Sequence, residues 1–136
     1  MLETPPEKAL FFCTADDYFR MYINGKLVME HYNGGGGWDT LSFRDAAPFL
    51  SAGKNTILIK AADGGGAPCG LFYAGVITEK NGKVRKIHSD AETLCSEDNK
   101  TWVKSEIVCP FGGGPWSSCT PKPADVENLG ASGFPF

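Results

Sequence analysis

The chain has 136 residues, 42% of them hydrophobic and 21% charged, and a net charge of −3. That length suits one domain able to bury roughly two thirds of its unfolded surface, and the composition is that of an ordinary globular protein. The acidic balance argues against nucleic-acid binding, which needs a basic patch, and no run of about 18 apolar residues is present to insert into a membrane.

Residues 9–14 are apolar with aromatic content. Over residues 17–24, Phe19, Met21 and Ile23 alternate with Tyr18, Arg20 and Tyr22, the period of a strand with one buried face. Asn24-Gly25 predicts a two-residue hairpin turn, because both residues tolerate positive φ, with a return strand over 26–32. A short strand is expected at 40–44, one helical turn at 45–50, and a turn at Gly53-Lys54-Asn55. The β-branched run 56–61 reads as a buried strand. Residues 70–78 form the next strand, and Asn81-Gly82 turns it into 83–88, where Lys83, Arg85 and Lys86 read as a solvated strand edge. Residues 89–98 are polar, and 102–108 predict a last strand.

Short strands with a turn signal about every ten residues point to an all-β sandwich or jelly roll. The expected division is a β-sandwich over 1–108 and a Gly/Pro-rich tail over 109–136 that packs on it or frays. The opening Met1-Leu2-Glu3-Thr4-Pro5-Pro6 has neither the basic nor the apolar part of a secretory signal, so a mature form or an excised domain is expected.

Five cysteines, Cys13, Cys69, Cys95, Cys109 and Cys119, form no C-x-x-C pair, which weakens a zinc reading. Their number suggests an oxidising, extracellular setting with at least one thiol left over. Cys109 and Cys119 flank a loop with little regular structure and are candidates for a disulfide. Cys13 and Cys69 pair if their loops meet. The alternative is five free, partly buried thiols.

Three loops follow predicted strands. They read Thr14-Ala15-Asp16-Asp17, Asn33-Gly34-Gly35-Gly36-Gly37-Trp38-Asp39 and Asp63-Gly64-Gly65-Gly66-Ala67-Pro68. If they share one end of the sandwich, carboxylates, bare backbone and an indole ring meet there. That mixture suits a hard cation and a sugar. Calcium takes about six to eight oxygen ligands, and Trp38 can stack on the apolar face of a pyranose. Asp39, His31 and Tyr32 lie beside the same loop as further ligand-binding candidates. Each has a plainer reading: Asp16 satisfies backbone N–H groups in a turn, Asp39 caps a turn, Trp38 plugs the sandwich end, and His31 is structural.

The order of elements resembles galactose-binding-domain-like jelly rolls. The resemblance rests on Thr14-Ala15-Asp16-Asp17 followed by Met21-Tyr22-Ile23-Asn24-Gly25-Lys26, on Phe49-Leu50-Ser51-Ala52-Gly53-Lys54-Asn55-Thr56-Ile57, on Ala61-Ala62-Asp63 leading to Gly70-Leu71, and on Ser89-Asp90 with Trp102. Carbohydrate-binding modules attached to α-L-rhamnosidases are similar in these respects. The resemblance implies a calcium ion held by Asp16, Asp17, Asp63 and the carbonyl of Pro68, with Trp38 as an aromatic wall. Asp63 stands where that family has Asn, and Cys69 where Ala is usual.

No G-x-S-x-G elbow or Cys-His signature supports nucleophilic catalysis, and neighbouring aspartates on a strand point to opposite faces, unlike a glycosidase acid pair. The expected function is therefore non-enzymatic: a calcium-assisted, lectin-like carbohydrate-binding domain. The alternative is a structural or adhesion module in which calcium only stiffens the loops. A single sugar site is usually weak, which favours fusion, oligomerisation or tandem copies.

Overall fold

A computed structural model describes residues 2–15, 18–31, 40–62, 71–89, 94–96, 100–104 and 120–123. The elements are β1 (Pro6–Ala15), β2 (Tyr18–Ile23), β3 (Lys26–His31), β4 (Thr40–Asp45), a 3-10 turn (Ala47–Phe49), β5 (Ile57–Ala62), β6 (Leu71–Glu79), β7 (Val84–His88), β8 (Leu94–Cys95), β9 (Val103–Lys104) and β10 (Thr120–Pro123). A five-stranded sheet, in order β10-β4-β1-β6-β7, faces a three-stranded sheet, β3-β2-β5, while β8 and β9 form a separate ribbon. Among the described residues every strand pairing is antiparallel except β10 on β4. The all-β sandwich expected from the strand spacing is the fold observed.

The period-two pattern places the core. Phe19, Met21 and Ile23 on β2 are fully buried against Ala9, Phe11, Cys13 and Ala15 on β1. Such side chains contribute about 1.5–3 kcal/mol each when removed from water. Val28 and Met29 of β3 and Ile77 of β6 complete this centre.

The turns follow their residues. Asn24 (φ 51°) and Gly25 (φ 82°) both adopt the left-handed region, closing the two-residue hairpin. Asn24 Nδ2 also donates to Phe49 O at 2.9 Å, and its Oδ1 accepts from Thr56 N at 3.0 Å, so the turn is stitched to the start of β5. At Asn81-Gly82 only the glycine has positive φ, and the Glu79 N–H donates to Lys83 O. That turn is wider than the first, with three residues between the paired ends. Asp45 Oδ1 accepts from Ala9 N and Ala47 N, tying the 3-10 turn to β1.

Two expectations are corrected, and a third is met over the residues described. The run read as a buried strand, now β5, ends the three-stranded sheet, and its described side chains are half-buried or exposed. An apolar run records hydrophobicity but not which strand is left at an edge. Cys13 is a free, buried thiol, which removes the Cys13–Cys69 disulfide. Its place on the inward face of β1 puts it among core side chains rather than at a loop. Burial also pushes the thiol well above its usual pKa. The predicted last strand begins with the two-residue β9, paired to β8, with Trp102 beside it 42% exposed. Cys69, Cys109 and Cys119 lie outside the described residues.

β10, within the stretch read as tail, adds in parallel to the rim of the five-stranded sheet, with Thr120 opposite Thr40 and Pro123 opposite Phe43. Its two prolines suit a peripheral strand, where an absent N–H leaves no inner ladder broken.

Candidate functional site

The strand registers bring three loop roots to one rim. Residues 16–17 join Ala15, at the end of β1, to Tyr18, at the start of β2. Ala15 pairs with Leu71, Tyr18 with Ala62, and Phe19 with His31. Cys13 pairs with Ser42, so antiparallel pairing carries Thr40 to the same end as Ala15. Segment 32–39 therefore leaves from His31 beside Phe19 and returns at Thr40. Segment 63–70 leaves from Ala62 beside Tyr18 and returns at Leu71 beside Ala15.

The base of the rim is buried. Ala15 and Phe19 are buried and belong to the core cluster, and Thr14 is buried beneath them. One residue below Phe19, Arg20 Nε donates to Glu30 Oε2 at 2.8 Å, a nearly buried cross-strand pair. Its cation is thus matched within the sheet. Farther down the same face, the Lys60 ammonium sits 5.6 Å from the centre of the Tyr22 ring.

Of the candidate ligand-binding residues, His31 is described. It ends β3, half-buried, with its ring parallel to Phe19 at a centroid separation of 6.4 Å and 12° between planes. Trp38, Asp39, Tyr32 and Asp63 lie outside the described residues, as do the calcium candidates Asp16, Asp17 and Pro68. Among the described residues, no group of three or more His, Cys, Asp or Glu is placed to hold a metal. The side chains of Asp16, Asp17 and Asp63 and the carbonyl of Pro68 are oxygen donors by type, the kind a hard cation takes.

Sequence reasoning missed a buried carboxylate at the opposite end. Glu79 is fully buried. Its Oε1 accepts from the Glu3 and Thr4 N–H groups at 2.6 and 3.0 Å, and its Oε2 accepts from Arg85 Nε at 2.9 Å. The Thr4 N–H bond does most to hold the carboxyl below its usual pKa, helped by Arg85 and the Glu3 N–H against the cost of burial. A glutamate closing an apolar strand just before Asn81-Gly82 was the available signal. This cluster ties the N-terminal segment to the β6–β7 hairpin.

No protein-family model matches the chain. It is 24% identical over 132 positions to an α-L-rhamnosidase of Streptomyces avermitilis, covering 85% of this chain and 12% of the enzyme. The solved structure of α-L-rhamnosidase from that organism, complexed with L-rhamnose, superposes with a TM-score of 0.71 at 23% identity, over 88% of this chain and 13% of that one. A lectin of Pleurotus ostreatus, solved in complex with GalNAc, superposes with a TM-score of 0.63 at 26% identity, covering 90% of this chain and 38% of the lectin. The chain thus spans about an eighth of the rhamnosidase it matches. The resemblance to carbohydrate-binding jelly rolls of the galactose-binding kind holds for the fold. The similar proteins include both an enzyme and a lectin.

Proposed function

We propose that this chain is a non-catalytic carbohydrate-binding module whose ligand site is the rim formed by segments 16–17, 32–39 and 63–70. The observation that carries the reading is the convergence of those three loop roots on one end of the sandwich. Likeness to a lectin solved with a sugar supports it. Asp16, Asp17, Asp63 and the Pro68 carbonyl would hold a calcium ion, whose open positions accept vicinal sugar hydroxyls. Trp38 would stack on the pyranose, with Asp39, Tyr32 and His31 as hydrogen-bonding partners at its edge.

The small share of the matched rhamnosidase that the chain spans supports a role as one module of a larger or multimeric protein, where several weak sites act together. We place that protein outside the cell. With Cys13 a free thiol, the remaining four of the five cysteines are an even number, compatible with two disulfides. A mass shift on reduction tests this directly.

A glycan array read with calcium and with chelator tests the main reading. Binding that is lost with chelator and lost in Trp38→Ala, with the melting temperature of that variant little changed, supports it. If no glycan binds while chelation still lowers the melting temperature, the chain is a structural or adhesion module instead.

A further inference from the structure

The two flanks of the sandwich are built differently. On one, β3 packs against β4, and Arg44 Nη1 of β4 donates to Val28 O of β3 at 2.6 Å while its guanidinium covers the Phe49 ring. On the other, β5 and β7 end their sheets, and between them lies a half-open groove of about 440 Å³. Its apolar surface comes from Leu2, Phe11, Leu50, Ile57, Ile77 and Ile87. The N-terminal segment closes one end as a strap: Leu2 exchanges backbone hydrogen bonds with Gly53, and Glu3 and Thr4 donate to Glu79.

Charge on this flank is largely matched within the chain, with one cation left over. Lys83, Arg85 and Lys86 lie on or beside β7, and Arg85 and Lys86 line the groove. Glu3 and Glu79 pair with Lys83 and Arg85. Lys86 has no carboxylate partner among the described residues. The outer backbone edge of β7 is likewise unpaired by any described strand.

We propose that this groove docks an extended acidic peptide segment, which adds a strand to the outer edge of β7 and places alternate aliphatic side chains against Ile57 and Ile87. Three features select that occupant. An unpaired strand edge supplies main-chain hydrogen bonds, and an adjoining apolar pocket supplies side-chain specificity, which together are the requirements of strand addition. Lys86, the β7 cation with no carboxylate partner among the described residues, attracts a carboxylate on the incoming strand. It also repels the β7 edge of a second copy of this chain, as charged edge residues do. At about 3.3 Å per residue, the five residues of β7 match an equally short segment. The proposal does not depend on the sugar reading, since the groove lies away from the loop rim.

The probe is a synthetic eight-residue peptide of alternating valine and glutamate, titrated by fluorescence anisotropy without calcium or sugar. A control peptide carries lysine in place of glutamate. The acidic peptide is expected to bind at least tenfold tighter than the control, to weaken as salt rises, to lose about tenfold in affinity in Lys86→Glu, and to slow amide exchange over residues 84–88. Lys86→Glu changes an exposed side chain, and its melting temperature confirms that the fold survives. Equal binding of the two peptides, no binding, or protection confined to the loop rim overturns the proposal. So does binding of octanoate, rather than peptide, in the groove.

Discussion

The Phe11 ring lies directly over Gly75, its partner on β6: a Cβ at that glycine would stand 2.7 Å from both Cδ1 and Cε1 of the ring and 3.1 Å from Ile87 Cγ1. Phe11 is buried to 1% exposure, so it has no solvent to retreat into. Gly75→Ala is expected to destabilise the protein by about 1–3 kcal/mol, the usual cost of overpacking a core. Urea unfolding measures it. Phe11→Leu should cost less in the Gly75→Ala background than alone, because the two residues share one space.

The Asn24-Gly25 turn sets the β2–β3 register and joins the 3-10 turn to β5. Gly25→Ala forces a side chain into φ 82° and should cost roughly 1–2 kcal/mol. Asn24→Ala incurs a similar backbone cost and also loses the bonds to Phe49 and Thr56. It should therefore be the more damaging of the two in thermal melts.

Glu79 makes stability depend on acid. Its folded-state pKa is lowered, chiefly by the Thr4 N–H bond. The stabilisation is therefore complete above the ordinary glutamate pKa and is lost as pH falls through the depressed folded value. A melting curve taken from pH 7 downward should drop in that acidic window. Glu79→Gln should be less stable at neutral pH and should lose this part of the pH dependence.

Cys13 should resist alkylation. Burial raises the pKa of its thiol and shields it, and the thiolate is the reactive form. Iodoacetamide at pH 8 is expected to leave Cys13 unmodified in the native protein and to label it in guanidinium. Peptide mapping distinguishes the two.

The loop rim should be separable from the fold. Asp16→Asn and Asp63→Ala remove oxygen donors proposed for calcium and leave the buried residues Phe19, Met21 and Phe11 unaltered. Both variants should lose calcium-dependent sugar binding in titration calorimetry. Their apo melting temperatures should stay close to the parent's.

Local chemistry determined much of this molecule. Alternation along 18–23 marked the buried face of β2, because successive side chains on a strand point to opposite sides. Asn24-Gly25 specified its own turn, because few residues enter the left-handed region cheaply. Glycine and aspartate marked segments 16–17, 32–39 and 63–70 as connections between strands. Tertiary structure decided what depends on partners distant in the chain. It set β5 at a sheet edge, buried Cys13, demanded a glycine at residue 75 under Phe11, drew Glu3 and Thr4 onto Glu79, and brought the roots of three loops to one rim. Strand order and register come from packing two sheets face to face, and no single segment carries that information.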